Sequence, residues 1–227
     1  MRQTLIVNKT NYDKPWAAEF LSGILRSDMK VCVISDAADE GWTMDREGWD
    51  TRFGEDSDFR YDIERPLRSY GIRYFFWYDP YRDEAEPLAS KIRESDITVL
   101  FGTNPVSCMD TIMDLGIEEL LIHGNGLLIT ISEVSSLLCG SYEVEEAGIR
   151  SVREGLGILS AASLCMHYEE HEEQLARMIR LLEVLGGSLL VLSENSGVYL
   201  DGTHIELLGD AFIADESDLE ELYALIG

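Results

Sequence analysis

Five short apolar runs, separated by helical patterns, constrain the fold of this chain more than any other feature. The runs are rich in β-branched and aromatic residues, as buried strands are. They span Leu5 to Val7, Val31 to Ser35, Ile72 to Trp77, Ile97 to Phe101 and Leu127 to Ile131. Strands that alternate with helices form parallel sheets, because each crossover helix returns the chain to the same end of the sheet. The pattern therefore predicts an α/β fold with a mainly parallel sheet flanked by helices.

The C-terminal third has a different pattern. A helix is predicted over Glu169 to Leu185, where apolar residues recur at helical spacing, and short strands are predicted over Gly148 to Leu159 and Gly197 to Phe212. Asp201-Gly202 predicts a hairpin turn, so we expect a C-terminal β-hairpin region. Far upstream, the stretch from Asp36 to Ser57 lacks periodicity and predicts a long loop.

Length and charge limit the classes of protein and partner. A chain of 227 residues that is 45% hydrophobic can bury one substantial core, so we expect a single domain over residues 1–227. Asp and Glu number 43 against 18 Lys and Arg, and the resulting formal charge of -25 repels nucleic acid and anionic membranes. No signal-peptide pattern or membrane-length apolar run occurs, which predicts a cytoplasmic protein. The four cysteines lie in apolar stretches without paired spacing and are expected to be buried free thiols.

Ser132 stands where the fifth run meets a helical pattern, which is the position of a nucleophile elbow. Such an elbow reads G-x-S-x-G, because side chains two residues before and after the serine collide with backbone in so sharp a turn. Here Thr130 and Val134 occupy those positions. Two interpretations stay open: Ser132 is a nucleophile, or it is the N-cap of the following helix. Since Thr130 and Val134 do not suit a strained turn, we expect Ser132 to have ordinary backbone angles and to cap the helix.

Four local patterns occur in an order that resembles the peptidase E and cyanophycinase family of serine hydrolases. They are Phe101-Gly102-Thr103-Asn104-Pro105, Ser132 after an apolar strand, Gly155-Leu156-Gly157-Ile158-Leu159 leading to Met166-His167-Tyr168, and Glu194-Asn195-Ser196-Gly197. The resemblance implies a fold like that of class I glutamine amidotransferases, which is flavodoxin-like. It also implies a serine peptidase acting on short peptides, without a cofactor or metal.

The resemblance assigns roles to individual residues. Ser132 stands at the nucleophile and His167 at the general base, which takes the proton of the serine hydroxyl. The residues at the oxyanion hole are Gly102, Thr103 and Glu133, and the acidic candidates for a third triad member are Glu146 with its neighbour Glu145, and Glu194.

The departures from the family pattern leave activity open. Glu133 places a carboxylate beside the developing oxyanion, and Thr103 stands where glycine is usual. The alternative is a non-catalytic relative that binds a small ligand or a protein partner, with homo-oligomers allowed. The acidic stretch from Glu169 to Glu173 favours a ligand with a free amino group or a basic side chain.

A second motif indicates a different enzyme class. His167-Tyr168-Glu169-Glu170-His171 matches the H-x-x-E-H pattern of zinc peptidases. That site requires both histidines on one continuous helix and a third acidic ligand. The sequence instead favours a strand end at His167 and a helix start after it, so zinc binding is the weaker alternative.

Overall fold

A seven-stranded sheet, in the order β13-β12-β1-β7-β6-β2-β5, organises the computed structural model, which describes residues 2–35, 38–39, 42–43, 45–83 and 85–226. The strands are β1 (Gln3–Val7), β2 (Lys30–Ser35), β3 (Ala38–Asp39), β4 (Trp42–Thr43), β5 (Tyr74–Trp77), β6 (Ile97–Phe101), β7 (Leu127–Ile131), β8 (Ser141–Glu146), β9 (Ile149–Glu154), β10 (Ala162–Cys165), β11 (Ser188–Val191), β12 (Ser196–Asp201), β13 (His204–Gly209) and β14 (Phe212–Asp215). The helices are α1 (Pro15–Ser22), α2 (Arg46–Phe53), α3 (Asp58–Ser69), α4 (Ala85–Glu94), α5 (Pro105–Leu115), α6 (Glu118–His123), α7 (Glu172–Leu185) and α8 (Leu219–Ile226), with 3-10 helices at Ser132–Leu138 and Glu216–Asp218.

The five strands predicted from the apolar runs form the parallel part of this sheet. β1 pairs with β7, β7 with β6, β6 with β2 and β2 with β5, all in parallel. β12 and β13 extend it antiparallel beyond β1, and the hairpin that joins them pairs Asp201 with His204. The predicted α/β class and the C-terminal hairpin region are confirmed.

Burial on both faces explains why these strands read as continuous apolar runs. In β1, Leu5 and Val7 enter one core cluster, whereas Ile6 between them enters the cluster on the opposite face. All five residues of β7 are buried. A strand covered by helices on both faces has no solvent side, so hydrophobic residues occupy successive positions.

A second, smaller sheet carries the segment that contains His167. It has three strands in the order β10-β11-β14, with β10 parallel to β11 and β14 antiparallel. The apolar faces of α7 and α8 cover it, among them Met178, Leu182 and Leu222. His167 therefore follows a strand of the three-stranded sheet, whereas Ser132 follows β7 of the seven-stranded sheet.

The predicted loop from Asp36 to Ser57 is partly wrong. α2 forms within it, and Asp45 caps the helix by accepting a hydrogen bond from the N–H of Gly48. Trp49 packs on Phe53 with their ring centroids 4.3 Å apart, and both are buried. A two-turn helix whose apolar residues are this few shows no clear periodicity in sequence. The side chain of Trp42 and several of its neighbours lie outside the described residues.

Two further expectations concern the chain as a whole. All four cysteines are buried and free, as predicted, and burial raises the pKa of Cys32 and Cys139 to about 12. Among the described helices, none combines the length and hydropathy that crossing a membrane requires.

Candidate active site

Three neighbouring strands of the large sheet end at the candidate site. Asn8 follows β1, Ser132 follows β7 and Gly102 follows β6. The carboxyl ends of parallel strands are where α/β folds bind ligands, because the side chains and loops that follow the strands converge there.

Ser132 has a strained backbone, and here our expectation was wrong. Its φ is 70°, a left-handed conformation that disfavours residues other than glycine. Its side chain does not cap the following helix, whose N-cap residue is Ile131. The chain continues as a 3-10 helix, in which side chains recur every three residues, so Val134 is placed differently from its counterpart in an α-helical elbow. Thr130 and Val134 are both fully buried, and the sharp turn forms without the two glycines.

The hydroxyl of Ser132 points to His167. Ser132 Oγ lies 3.1 Å from His167 Nε2, a distance at which a serine can pass its proton to an imidazole. Ser132 is 8% exposed. Burial lowers the pKa of His167, the carboxylate of Glu133 raises that pKa in part, and Arg177 and Lys9 lower it further. The imidazole is therefore biased toward its neutral form, which is the form that accepts a proton.

Glu133 faces the same cleft. Its Oε1 lies 3.7 Å from His167 Nε2, and its Oε2 lies 3.9 Å from a guanidinium nitrogen of Arg177. Among the described residues, it is the carboxylate that comes within 4 Å of a His167 ring nitrogen. The negative charge of the Glu133 carboxylate thus interacts with both His167 and Arg177.

The predicted oxyanion-hole residues lie next to the dyad. Gly102 follows β6, and its carbonyl oxygen accepts a hydrogen bond from the N–H of Val134 at 3.3 Å. This bond ties the turn after β6 to the helix after Ser132. The N–H of Glu133 belongs to the first turn of that helix, where backbone N–H groups have no partner inside the helix. Thr103 and Glu133 line one cavity together.

The structure pairs the candidate third members of the triad with residues other than His167. Glu146, on β8, contacts Arg153 on β9 at 2.7 Å, as opposite charges on neighbouring strands commonly do. Its neighbour Glu145 contacts Arg150 at 2.7 Å. Glu194 is largely exposed and contacts Lys9 at 2.9 Å.

Two cavities border the residues around the dyad. The larger has a volume of about 860 Å³ and is lined by residues that include Thr103, Asn104, Glu133, Glu143, Glu173, Arg177 and Arg180. The smaller has a volume of about 480 Å³ and is lined by residues that include Asn8, Lys9, His167, Tyr168, Glu194 and Phe212. Glu133 lines the first cavity and His167 the second, so the two cavities approach each other at the 3.7 Å contact between these side chains.

Sequence reasoning missed two residues that hold His167. The side-chain oxygen of Asn8 accepts a hydrogen bond from the N–H of His167 at 3.1 Å. Arg177 donates to the carbonyl oxygen of Met166 at 3.0 Å. A polar residue directly after a buried parallel strand was a usable signal for Asn8, whereas nothing in the sequence distinguishes Arg177 from Arg180, the other arginine of its helix.

The zinc-peptidase alternative lacks its helix. α7 begins at Glu172, after His171, whose φ is -149°. His167 has a φ of 57°, which is incompatible with a right-handed helix. The two histidines do not share a helical face, so the H-x-x-E-H geometry does not form.

Two solved structures share the architecture of this chain. A "Putative Peptidase E Protein" from Listeria monocytogenes EGD-e matches with a TM-score of 0.65 and 13% identity, over 91% of this chain and 98% of that one. The chain has the peptidase E fold. A peptidase from an acI-B1 Actinobacterium matches with a TM-score of 0.59 and 14% identity, over 94% of this chain and 89% of that one. No family model and no curated protein matches the sequence. At such low identity, the peptidase E fold is what the two structures establish.

Proposed function

We propose that this protein is a serine hydrolase that cleaves amide bonds in short peptides, with Ser132 as the nucleophile and His167 as the general base. One observation carries the proposal: Ser132 sits at positive φ with its hydroxyl 3.1 Å from His167 Nε2. A left-handed serine costs about 1–2 kcal/mol of conformational free energy. Strain of this kind persists mainly at functional sites, where the surrounding structure holds it.

The proposed reaction uses the two residues in succession. Ser132 Oγ attacks the carbonyl carbon of the peptide bond while His167 Nε2 takes the hydroxyl proton. The resulting imidazolium donates that proton to the leaving amine, and the acyl group stays on Ser132 as an ester. Water, deprotonated by His167, then hydrolyses the ester and restores the serine. The N–H of Glu133 and the turn at Gly102 and Thr103 are the proposed donors to the oxyanion.

Glu133 has two opposing effects in this proposal. Its carboxylate favours the imidazolium that forms at His167, because an opposite charge at 3.7 Å stabilises the protonated ring. The same charge opposes the oxyanion that develops at the neighbouring backbone. Arg177 offsets part of that repulsion, since it contacts the other carboxylate oxygen.

The cavities support a small substrate. A volume of about 860 Å³ is in the range of pockets that hold small molecules and short peptides. Several of its carboxylates are paired with arginines, such as Glu143 with Arg180 at 3.0 Å. A peptide substrate agrees with the two solved structures of the same fold, which are a "Putative Peptidase E Protein" and a peptidase.

The alternative is a binding protein without catalysis, and the position of Glu133 favours it. A carboxylate beside the nucleophile suppresses acyl transfer if its repulsion of the oxyanion exceeds its support of His167. Such a protein retains the cavity and binds a ligand there without turnover.

Covalent labelling separates the two functions. We expect a fluorophosphonate to modify the native protein on Ser132, as identified by peptide mass mapping, because only an activated serine reacts rapidly with such reagents. The Ser132→Ala variant should take up no label, and His167→Gln should react far more slowly. A native protein that stays unlabelled, or label that persists in Ser132→Ala, would contradict the hydrolase proposal and leave the binding protein.

A further inference from the structure

His167 is held through the peptide group that precedes it. The carbonyl oxygen of Met166 and the N–H of His167 belong to that one peptide group. Arg177 donates to the oxygen at 3.0 Å, and Asn8 accepts from the N–H at 3.1 Å. Both polar atoms of the Met166–His167 peptide are thereby fixed by side chains from two different elements, α7 and the end of β1.

The backbone of His167 needs such support. Its φ of 57° is left-handed, a conformation that histidine adopts at a cost. Rotation about this φ turns the imidazole relative to the preceding peptide plane. A peptide plane held at both of its polar atoms is the fixed reference for this rotation, and a plane that shifts carries Nε2 with it.

Asn8 also connects the histidine to the large sheet. It is 1% exposed, and its amide nitrogen donates to the carbonyl oxygen of Ser193 at 2.9 Å. It directly follows β1, which pairs with the strand that ends at Ser132. The side chain thus spans from the sheet that bears the nucleophile to the segment that bears the base.

We propose that Asn8 and Arg177 are positioning residues that fix the Met166–His167 peptide from its two sides and thereby aim the imidazole at Ser132. The inference rests on the proposed function for its kinetic consequence, but its geometric content stands apart from it. Neither side chain is assigned to the reacting atoms.

The chain supplies a matched control for each residue. Asn11 contacts the same loop as Asn8, through the carbonyl oxygen of Glu194 at 3.4 Å and Asn195 Oδ1 at 2.8 Å, but has no bond to His167. Arg65, on α3, likewise donates to a backbone carbonyl oxygen, that of Thr10 at 3.3 Å, and is 35% exposed, but it lines neither of the two cavities. The comparisons are therefore Asn8→Ala with Asn11→Ala, and Arg177→Met with Arg65→Met.

The kinetic readout is the rate of fluorophosphonate labelling of Ser132. We expect Asn8→Ala and Arg177→Met to slow it by about 100-fold, the effect of a misplacement of about 1 Å at a reacting group. The controls should stay within about twofold of the native protein, as changes away from the site do. Circular dichroism and thermal unfolding report whether each variant is folded. If Asn8→Ala does not fold, the arginine pair decides, and equal rates in Arg177→Met and Arg65→Met overturn the proposal.

The geometric readout is the pH titration of the His167 ring by nuclear magnetic resonance, with its signal assigned from His167→Gln. Asn8→Ala changes no charge, so a displaced ring that leaves its buried position should show a pKa closer to the ordinary histidine value. A titration identical to that of the native protein and of Asn11→Ala would overturn the proposal. This measurement remains decisive if the native protein does not label, since that result refutes the hydrolase proposal alone.

Discussion

Replacing Glu133 by glutamine tests the electrostatics of the dyad. The change removes a carboxylate that lies 3.7 Å from His167 Nε2, keeps the size of the side chain and replaces one acceptor oxygen by a donor NH2 group. Two unit charges about 4 Å apart interact by about 1 kcal/mol in water and about 4 kcal/mol at the effective dielectric of a protein surface. Because the side chains of His167 and Glu133 are 36% and 32% exposed, the lower end of that range applies.

The expected result is a displaced pH profile. Glu133 raises the pKa of His167 against the lowering caused by burial, so Glu133→Gln lowers that pKa further. His167 accepts a proton only when neutral, and the labelling rate of Ser132 therefore rises as pH passes upward through this pKa. An interaction of about 1.4 kcal/mol corresponds to a midpoint about one pH unit more acidic in the variant.

The assay is the labelling rate of Ser132 by a fluorophosphonate between pH 4 and pH 9, measured on the native protein and on Glu133→Gln. Glu173→Gln is the matched control, because Glu173 lines the same cavity without being among the charges that shift the pKa of His167. A midpoint that stays in place or moves to higher pH in Glu133→Gln would refute the argument. An equal displacement in Glu173→Gln would show that the effect belongs to net charge.

Three further outcomes are expected. At Ser132, whose φ is 70°, the glycine variant should be more stable to urea than the alanine variant by about 1 kcal/mol. At Ser135 in the same 3-10 helix, the alanine variant should be the more stable. The same order of stability at both positions would disprove the strained turn. The pKa of His167 is lowered in the folded protein, so the unfolded chain binds more protons. As pH falls below about 6.5, the native protein should therefore lose free energy of unfolding relative to His167→Gln. A difference in free energy of unfolding that does not change with pH would count against the lowered pKa. Glu64 is 3% exposed and contacts Arg60, Arg68 and the indole N–H of Trp77. Glu64→Ala should therefore lower the free energy of unfolding in urea by about 2–4 kcal/mol. The exposed Asp62 lies on the same helix, and Asp62→Ala should lower it by less than about 0.5 kcal/mol.

The central sheet was predictable because the run of apolar residues within each strand is enough to identify that strand. In a parallel strand covered on both faces, successive residues are apolar whichever face they meet, as Leu5, Ile6 and Val7 are. Turn chemistry at Asp201-Gly202 fixed the C-terminal hairpin in the same local way. By contrast, α2 depends on a cap and on packing of Trp49 against Phe53, and neither leaves a periodic pattern.

The site was predictable only in part, for a different reason. The order of motifs indicated that Ser132 and His167 would approach each other, and they lie in hydrogen-bonding distance. The backbone of Ser132 was mispredicted because the glycine rule assumes an α-helix after the turn, whereas a 3-10 helix follows. Asn8 and Arg177 bind backbone atoms of the Met166–His167 peptide, and every residue has such atoms, so the position of Asn8 after a buried strand could mark it as a site residue but not name its partner.

Because the proposed nucleophile and general base come from separate sheets, the contact between them reports local opening of the structure. Ser132 follows a strand of the seven-stranded sheet, and His167 follows a strand of the three-stranded sheet. Any fluctuation that separates the sheets by a fraction of an ångström breaks the contact while both sheets keep their internal hydrogen bonds. Free energies of such partial openings lie below that of global unfolding. Serine reactivity should therefore vanish at lower denaturant concentrations than the secondary structure does, and it would measure the cohesion between the two sheets rather than the stability of either.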